Sequence, residues 1–348
     1  MPVTVVVGGQ FGSEGKGKVA HFFAREKRAT VAVRVGGFNS GHTVISASGT
    51  PIILQQLPTA ALLPNVICVL GAGSYIEPNI LINEITRIGL SKDRLLIDPN
   101  AVIVTEREQI EEQTGSLGQS IGSTLSGTGA AVRRRIERNS SVCLAKHEVS
   151  LQEFVKPVVP LMRSYLEAKE RIIVEGTQGF GLSLLHSSDY PYVTSRDTTA
   201  AGFIAEAGLS PLDVDEIVLV LRAFPIRVSG NSGPLPDEVD WQTVSCESEV
   251  CTPIIEYTSV TKLIRRVARF NPDVVRQAIL VNRPTHIVLN HLDYVDARCN
   301  FLNRPTEKVS QFVAEVESAL NSNIDYLGFG AASLVSRNHL NLTSSQYE

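Results

Sequence analysis

The feature that most limits how this chain can fold is a rhythm: short β-branched runs, each stopping at glycine or a polar loop, with a helix-patterned stretch before the next. The runs are VTVVV at 3–7 before GGQ, TVAVRV at 30–35 before GG, VICVL at 66–70 before GAG, RIIVEG at 171–176 before TQG, EIVLVLRA at 216–223 before FPIR, and THIVLN at 285–290 before HLD. Between them lie EGKGKVAHFFAREKR at 14–28 and EPNILINEITRIGL at 77–90, with apolar residues three and four apart, the period of an amphipathic helix. Strands alternating with helices predict an α/β fold with a mostly parallel central sheet and flanking helices. In such sheets ligands bind beyond the carboxyl ends of the strands. The glycine-rich and polar loops fall there, so they are where function is sought.

Composition narrows the classes. Of 348 residues, 43% are hydrophobic and 20% charged, and the net charge is −4. This suits a well-buried globular core and gives no broad basic field for a nucleic-acid backbone; no nucleic-acid partner is expected, although RRRIER at 133–138 is a local basic patch. No apolar run reaches the roughly 18 residues of a membrane span, and the start lacks the pattern of a signal peptide. The expectation is a cytoplasmic protein with no membrane partner. Five scattered cysteines suit reduced thiols. With no linker, repeat or low-complexity tract, residues 1–340 read as one catalytic domain and 341–348 as a polar tail.

Residues 8–18 read GGQFGSEGKGK. Glycines let backbone approach an anion, and a strand leading through such a loop into a helix aims free N–H groups at it. Lys16 and Lys18 add charge. The loop is not a Walker A motif, because five residues separate Gly9 from Gly15 and Lys16 is followed by Gly17 rather than Ser or Thr.

GGQFGSEGKGK resembles the signature GxQWGDEGKGK of adenylosuccinate synthetases, and GGFNSGHT at 36–43 resembles that family's GGxNAGHT. In order along the chain follow IGSTLSGTGAAVRRR at 121–135, EGTQG at 175–179, YPYVTSRDTT at 190–199, RVSGNSGPLPDE at 227–238, TSVTKLIRRV at 258–267 and NHLDYVD at 290–296. The resemblance implies a fold related to P-loop NTPases. It also implies a C–N bond-forming ligase that phosphorylates a purine O6 with a nucleoside triphosphate and then lets L-aspartate displace the phosphate, with Mg2+ as cofactor.

One departure carries the functional reading. The family uses the aspartate of GDEGKGK as general base for the purine N1 proton and as a magnesium ligand, and here that position is Ser13. A hydroxyl is far too weakly basic to inherit the first role. A smaller residue there leaves space for the C2 amino group of a guanine nucleotide and can accept its hydrogen bond. This resembles the phage 2-aminoadenylosuccinate synthetase branch, which joins dGMP to aspartate for 2-aminoadenine DNA. The expected substrates are therefore dGMP, L-aspartate and ATP or dATP; the alternatives are IMP with GTP, and an inactive nucleotide-binding regulator. The N1 base is left open among substrate groups, water and Glu14.

By resemblance, Ser13, Lys16, His42 and Gln178 carry the chemistry, His42 as an acid in phosphoryl transfer. Ser13, Asn39, Ser123, Thr124, Gln178, Thr194 and Val228 hold the monophosphate, with Arg135 reaching across a homodimer from the run Arg133 to Arg135. Thr261, Arg265 and Arg266 hold aspartate. The donor falls to Gly12, Glu14, Gly15, Lys16, Gly17, Gly41, His42, Thr43, Arg266, Asn290, His291, Asp293 and Gly328. Ser13 and the Gly41 carbonyl are the metal ligands. His291 replaces a lysine of the family's (T/N)KxD sequence and Tyr326 a small polar residue, so an aromatic face there favours ATP or dATP. Ile264, in place of an arginine near the ribose, suits a deoxyribose.

Overall fold

The computed structural model describes residues 2–250, 252–258 and 262–338. Among these, nine strands form one sheet: β1 (Val3–Gly8), β2 (Val31–Arg34), β3 (Ile67–Leu70), β4 (Leu95–Ile97), β5 (Ile172–Glu175), β6 (Val214–Arg222), β7 (His286–Asn290), β8 (Tyr326–Leu327) and β9 (Val335–Ser336), in the order β9-β8-β7-β6-β1-β5-β2-β3-β4. Every neighbouring pair is parallel except β8 with β9. The α/β expectation holds, and each of the six β-branched runs supplies a strand.

Successive strand residues face opposite sides, and β1 shows what that does. Val3, Val5 and Val7 join the core that contains Phe203 of α4 (Ala200–Ala207), Val275 of α5 (Pro272–Asn282) and Val313 of α6 (Glu307–Leu320). Val6 joins Val19 and Phe23 of α1 (Lys16–Glu26) on the other side. Burial on both faces explains why the strands are continuous apolar runs rather than alternating ones. Phe23 is 1% exposed, and its truncation to alanine costs about 3–5 kcal/mol.

Local signals set helix ends. In α2 (Pro78–Ile88) the Glu77 side chain accepts from Asn79 N and Ile80 N, proline opens the first turn, and Gly89 closes the helix at φ 65°; each device satisfies or removes an orphan backbone group. Helix α1 differs, because its cap is Gly15 at φ 89° with no side-chain hydrogen bond, so its first-turn N–H groups face the loop before it.

Parallel strands place the loops after β1, β2, β5, β6 and β7 along one edge of the sheet. Two small antiparallel units complete that edge: the hairpin His42–Ile45 with Pro51–Leu54, and three strands in the order Ile226–Arg227, Arg266–Ala268, Glu238–Val239. No helix among the described residues is long and apolar enough to cross a membrane. Cys68, Cys143, Cys246 and Cys299 are free thiols.

Candidate active site

The loop between β1 and α1 holds its own anion. Glu14 is fully buried, and its carboxylate accepts from Gln10 N at 3.2 Å, Gly12 N at 2.8 Å and Lys16 Nζ at 2.5 Å. A Cβ on Gly179 would lie 2.4 Å from Glu14 Oε1, so the EGTQG turn closes directly over this nest. Gly12 and Gly15 have φ of 93° and 89°, a region that favours glycine. A Cβ on Gly15 would also lie 2.8 Å from Asn290 Nδ2, which donates to Glu14 O at 2.8 Å. Glu14 is thus engaged by three donors. Three of the carboxylate's about four acceptor sites are therefore occupied.

Ser13 stands at the exposed tip of this loop at φ 57°. Its Oγ accepts from Arg265 Nη1 and its carbonyl from Arg222 Nη1 at 3.0 Å. The hydroxyl is therefore not free, but it keeps a second lone pair and its own proton.

His42 packs over the start of α1. A Cβ on Gly17 would lie 2.7 Å from His42 Cβ, so Gly17 is what lets the strand carrying Gly41, His42 and Thr43 come down onto the helix. Glu175 Oε1 accepts from Arg34 Nη1 at 2.6 Å and lies 2.6 Å from His42 Nδ1, and Oε2 accepts from Thr59 N and Oγ1, both at 2.8 Å. His42 Nδ1 also lies 2.7 Å from Arg34 Nη1, so the ring is held between a carboxylate and a guanidinium. Burial, then the Arg34 charge, pushes His42 down to about 3, which favours the neutral imidazole. Glu175 and Arg34 were not singled out in the sequence; a glutamate at a strand end before glycine was the signal for the first.

The monophosphate candidates lie on neighbouring loops. Gln178 adopts φ 58°, and its carbonyl lies 2.7 Å from where a Cβ on Gly8 would be. Asn39 carries a buried Oδ1 with no partner. The segment with Ser123 and Thr124 is tied to that of Val228 by Asn231 Nδ2 donating to Ser120 O at 2.8 Å, and Val228 O accepts from Ser232 Oγ at 2.5 Å. Thr194 N donates to Leu182 O at 2.9 Å. Of the three arginines on α3 (Thr128–Ile136), Arg134 is buried against Glu108 and Glu111, Arg133 is exposed beside Glu111, and Arg135 Nη1 donates to Ala72 O at 2.7 Å.

Arg265 and Arg266 do not act as a fork. Arg265 reaches Ser13 and donates to Tyr257 O at 3.0 Å, whereas Arg266 donates to Glu238 at 2.9 and 2.7 Å and to Gly233 O at 2.7 Å. Adjacent residues of an extended chain face opposite ways, which puts Arg266 on the 232–238 side rather than with Asn290 and His291. Thr261 lies outside the described residues, as does the 341–348 tail.

At the end of β7, Asn290 Oδ1 and Asp293 Oδ1 are buried without partners. A Cβ on Gly328 would lie 2.0 Å from Asn290 Oδ1, so only glycine fits. The His291 ring centroid is 5.1 Å from that of Tyr294. Two expectations are corrected. Tyr326 packs edge-on against Phe22 and Phe23 at 5.9 and 5.2 Å, because its strand position turns it into the α1 core, and it offers no face to a donor base. Lys18 does not join Lys16 at the loop; its Nζ donates to Gly330 O at 2.8 Å and Ser333 O at 3.0 Å.

Among the described residues no three His, Cys, Asp or Glu side chains gather to hold a metal. Magnesium prefers carboxylates and phosphate oxygens, and Ser13 Oγ already accepts from a guanidinium. Ser13 and the Gly41 carbonyl are neutral donors, which would hold Mg2+ only together with the nucleotide's phosphate oxygens.

Comparison with known proteins matches this geometry to a group. A family model for adenylosuccinate synthetase matches residues 5–145 and 141–303. The adenylosuccinate synthetase of Methanocaldococcus jannaschii is 34% identical over 334 residues, covering 94% of each chain. That of Pyrococcus horikoshii is 32% identical over 337 residues, 95% of this chain and 96% of its own. The fully ligated adenylosuccinate synthetase of Plasmodium falciparum superposes with TM-score 0.85 at 20% identity, covering 97% of this chain and 100% of that one, a likeness of fold. The cyanophage S-2L succinoaminodeoxyadenylate synthetase, solved with dGMP and with dATP as an energy donor, superposes with TM-score 0.81 at 29% identity, covering 100% and 99%. The chain belongs to the adenylosuccinate synthetase family of C–N bond-forming ligases.

Proposed function

We propose that this ligase condenses dGMP with L-aspartate at the expense of ATP or dATP, giving N6-succino-2-amino-2′-deoxyadenylate. The observation that carries the reading is Ser13: an exposed hydroxyl, where the family has a carboxylate, at the tip of the phosphate loop, with a lone pair left beside the Arg265 contact. Similarity over the whole chain to a cyanophage enzyme solved with dGMP and dATP supports it.

In this reading the purine O6 attacks the donor's γ-phosphorus as N1 gives up its proton to solvent, the β,γ-bridging P–O bond breaks, and the nucleoside diphosphate leaves. The aspartate amine then adds at C6 and inorganic phosphate leaves with the O6 oxygen, while the nitrogen sheds its proton to solvent. Lys16 and the open first turn of α1 face the transferred group, and His42, fixed by Glu175, gains a proton once phosphate charge is beside it. Arg265 receives an aspartate carboxylate next to Ser13. Asp293 and Asn290 offer acceptors to the donor base, and the His291–Tyr294 pair its aromatic face. The dimer proposal rests on α3, where Ile136 is 71% exposed beside Arg135; a second subunit would cover the one and take the other.

The second reading, IMP with GTP, is favoured by the archaeal relatives, all adenylosuccinate synthetases. Incubating the pure protein with aspartate and Mg2+, and offering dGMP, GMP or IMP with ATP, dATP or GTP, separates the two. Succinylated product from dGMP above GMP and IMP is expected. Turnover of IMP alone refutes the proposal, and a GMP advantage removes the deoxyribose preference assigned to Ile264.

A further inference from the structure

Glu256 received no role in the sequence reading, yet its carboxylate touches three parts of the site. It pairs with Arg222 Nη2, accepts from Tyr294 Oη at 3.0 Å, and lies 4.0 Å from Arg265 Nε. Each partner leads elsewhere. Arg222, fully buried, holds the carbonyl of Ser13; Arg265 holds the hydroxyl of Ser13; Tyr294 lies tilted against His291 at the end of β7, with Arg222 Cζ 5.8 Å from its ring. A single anion therefore joins the loop that ends in Asp293 to both polar groups of Ser13. Burial pushes its carboxyl up, yet the Arg222 and Arg265 guanidiniums outweigh it and hold the group down at about 2. So weak a base does not take a proton from a purine at neutral pH. What is left to it is placement.

We infer that Glu256 is a positioning residue that couples the two nucleotide subsites, so that a donor base seated against His291, Asp293 and Tyr294 steadies Arg265 and Ser13 for the monophosphate. This rests on the assignment of those loops under the proposed function. The coupling is reciprocal, since a donor that tightens monophosphate binding must itself be tightened by the monophosphate to the same degree.

Isothermal titration of dGMP into the whole enzyme, with and without saturating β,γ-methylene-ATP and Mg2+, tests it. In the wild type the analogue is expected to lower the dGMP Kd by about tenfold. Tyr294→Phe keeps the ring and removes only the bond to Glu256; it should shrink that ratio towards one. Glu256→Gln should abolish the ratio, and Glu256→Asp restore part of it. A merely structural Glu256 would lower the melting temperature and leave the ratio intact. Should Glu256→Gln fail to fold, Tyr294→Phe decides. A Tyr294→Phe enzyme with the wild-type ratio, or a wild type whose dGMP affinity ignores the analogue, overturns the inference. A wild type that does not bind dGMP at all refutes the substrate assignment instead, and the same titration with IMP and a GTP analogue then tests the coupling alone.

Discussion

Under the proposed function, replacing Ser13 by aspartate restores an acid at the purine edge. The carboxylate still accepts hydrogen bonds, so for dGMP the loss is steric: crowding the C2 amine costs about 1–3 kcal/mol, or about 5- to 200-fold in kcat/KM. For IMP a carboxylate in reach of N1 can contribute about 10²–10⁴ as general base. Arg265 Nη1 and Arg222 Nη1 both reach Ser13, however, and a neighbouring guanidinium lowers a carboxyl pKa by about 1–3 units, which weakens the base. The expected gain with IMP is accordingly about 10- to 100-fold. Steady-state rates for both nucleotides, at saturating aspartate and donor, give the ratio directly. A ratio within about threefold of wild type refutes the steric and acid–base reasoning alike.

Glu175→Gln leaves Arg34 and His42 around a buried, uncharged amide; breaking such a cluster costs about 3–5 kcal/mol, so calorimetry should find a melting temperature lower by about 4–7 °C, and an unchanged one refutes the role given to Glu175. Gly17→Ala drives a methyl against His42 Cβ, and a misplaced acid should lower kcat by about 10²-fold with aspartate KM changed less; an unaltered kcat would show that His42 does not act through this contact. Burial lowers Lys18 to about 8 from its ordinary 10.5. The unfolded chain then binds more protons than the native state between those values, so this group's penalty is full below pH 8 and is relieved as pH rises to about 10.5. The wild-type melting temperature minus that of Lys18→Met should therefore rise across this window, and a flat difference would mean that Lys18 titrates normally.

What was legible in the sequence had a local cause. Strands such as VTVVV and THIVLN announce themselves because both faces of a parallel sheet are buried, and GGQFGSEGKGK because an anion cradle needs glycine where a side chain would block it. What escaped depends on contacts across long stretches of chain. Lys18 sits two residues from Lys16, and nothing local says that one pairs with Glu14 while the other reaches Ser333. Tyr326 read as a surface for a base until its pairing in β8 turned it towards Phe22 and Phe23. Glu256 shows nothing unusual in sequence, and its meaning comes from Arg222, Tyr294 and Arg265 converging on it.

Glu14 has one more consequence. By filling the amide nest that it shares with Gln10, Gly12 and Lys16, it acts as a resident counterion, and the loop needs no visitor to keep its form. Nucleotide capture then spends little on ordering the backbone and meets a lysine whose charge is already balanced. Attraction at a distance becomes weak and selection falls to contact, a sensible arrangement where many cellular anions could otherwise lodge.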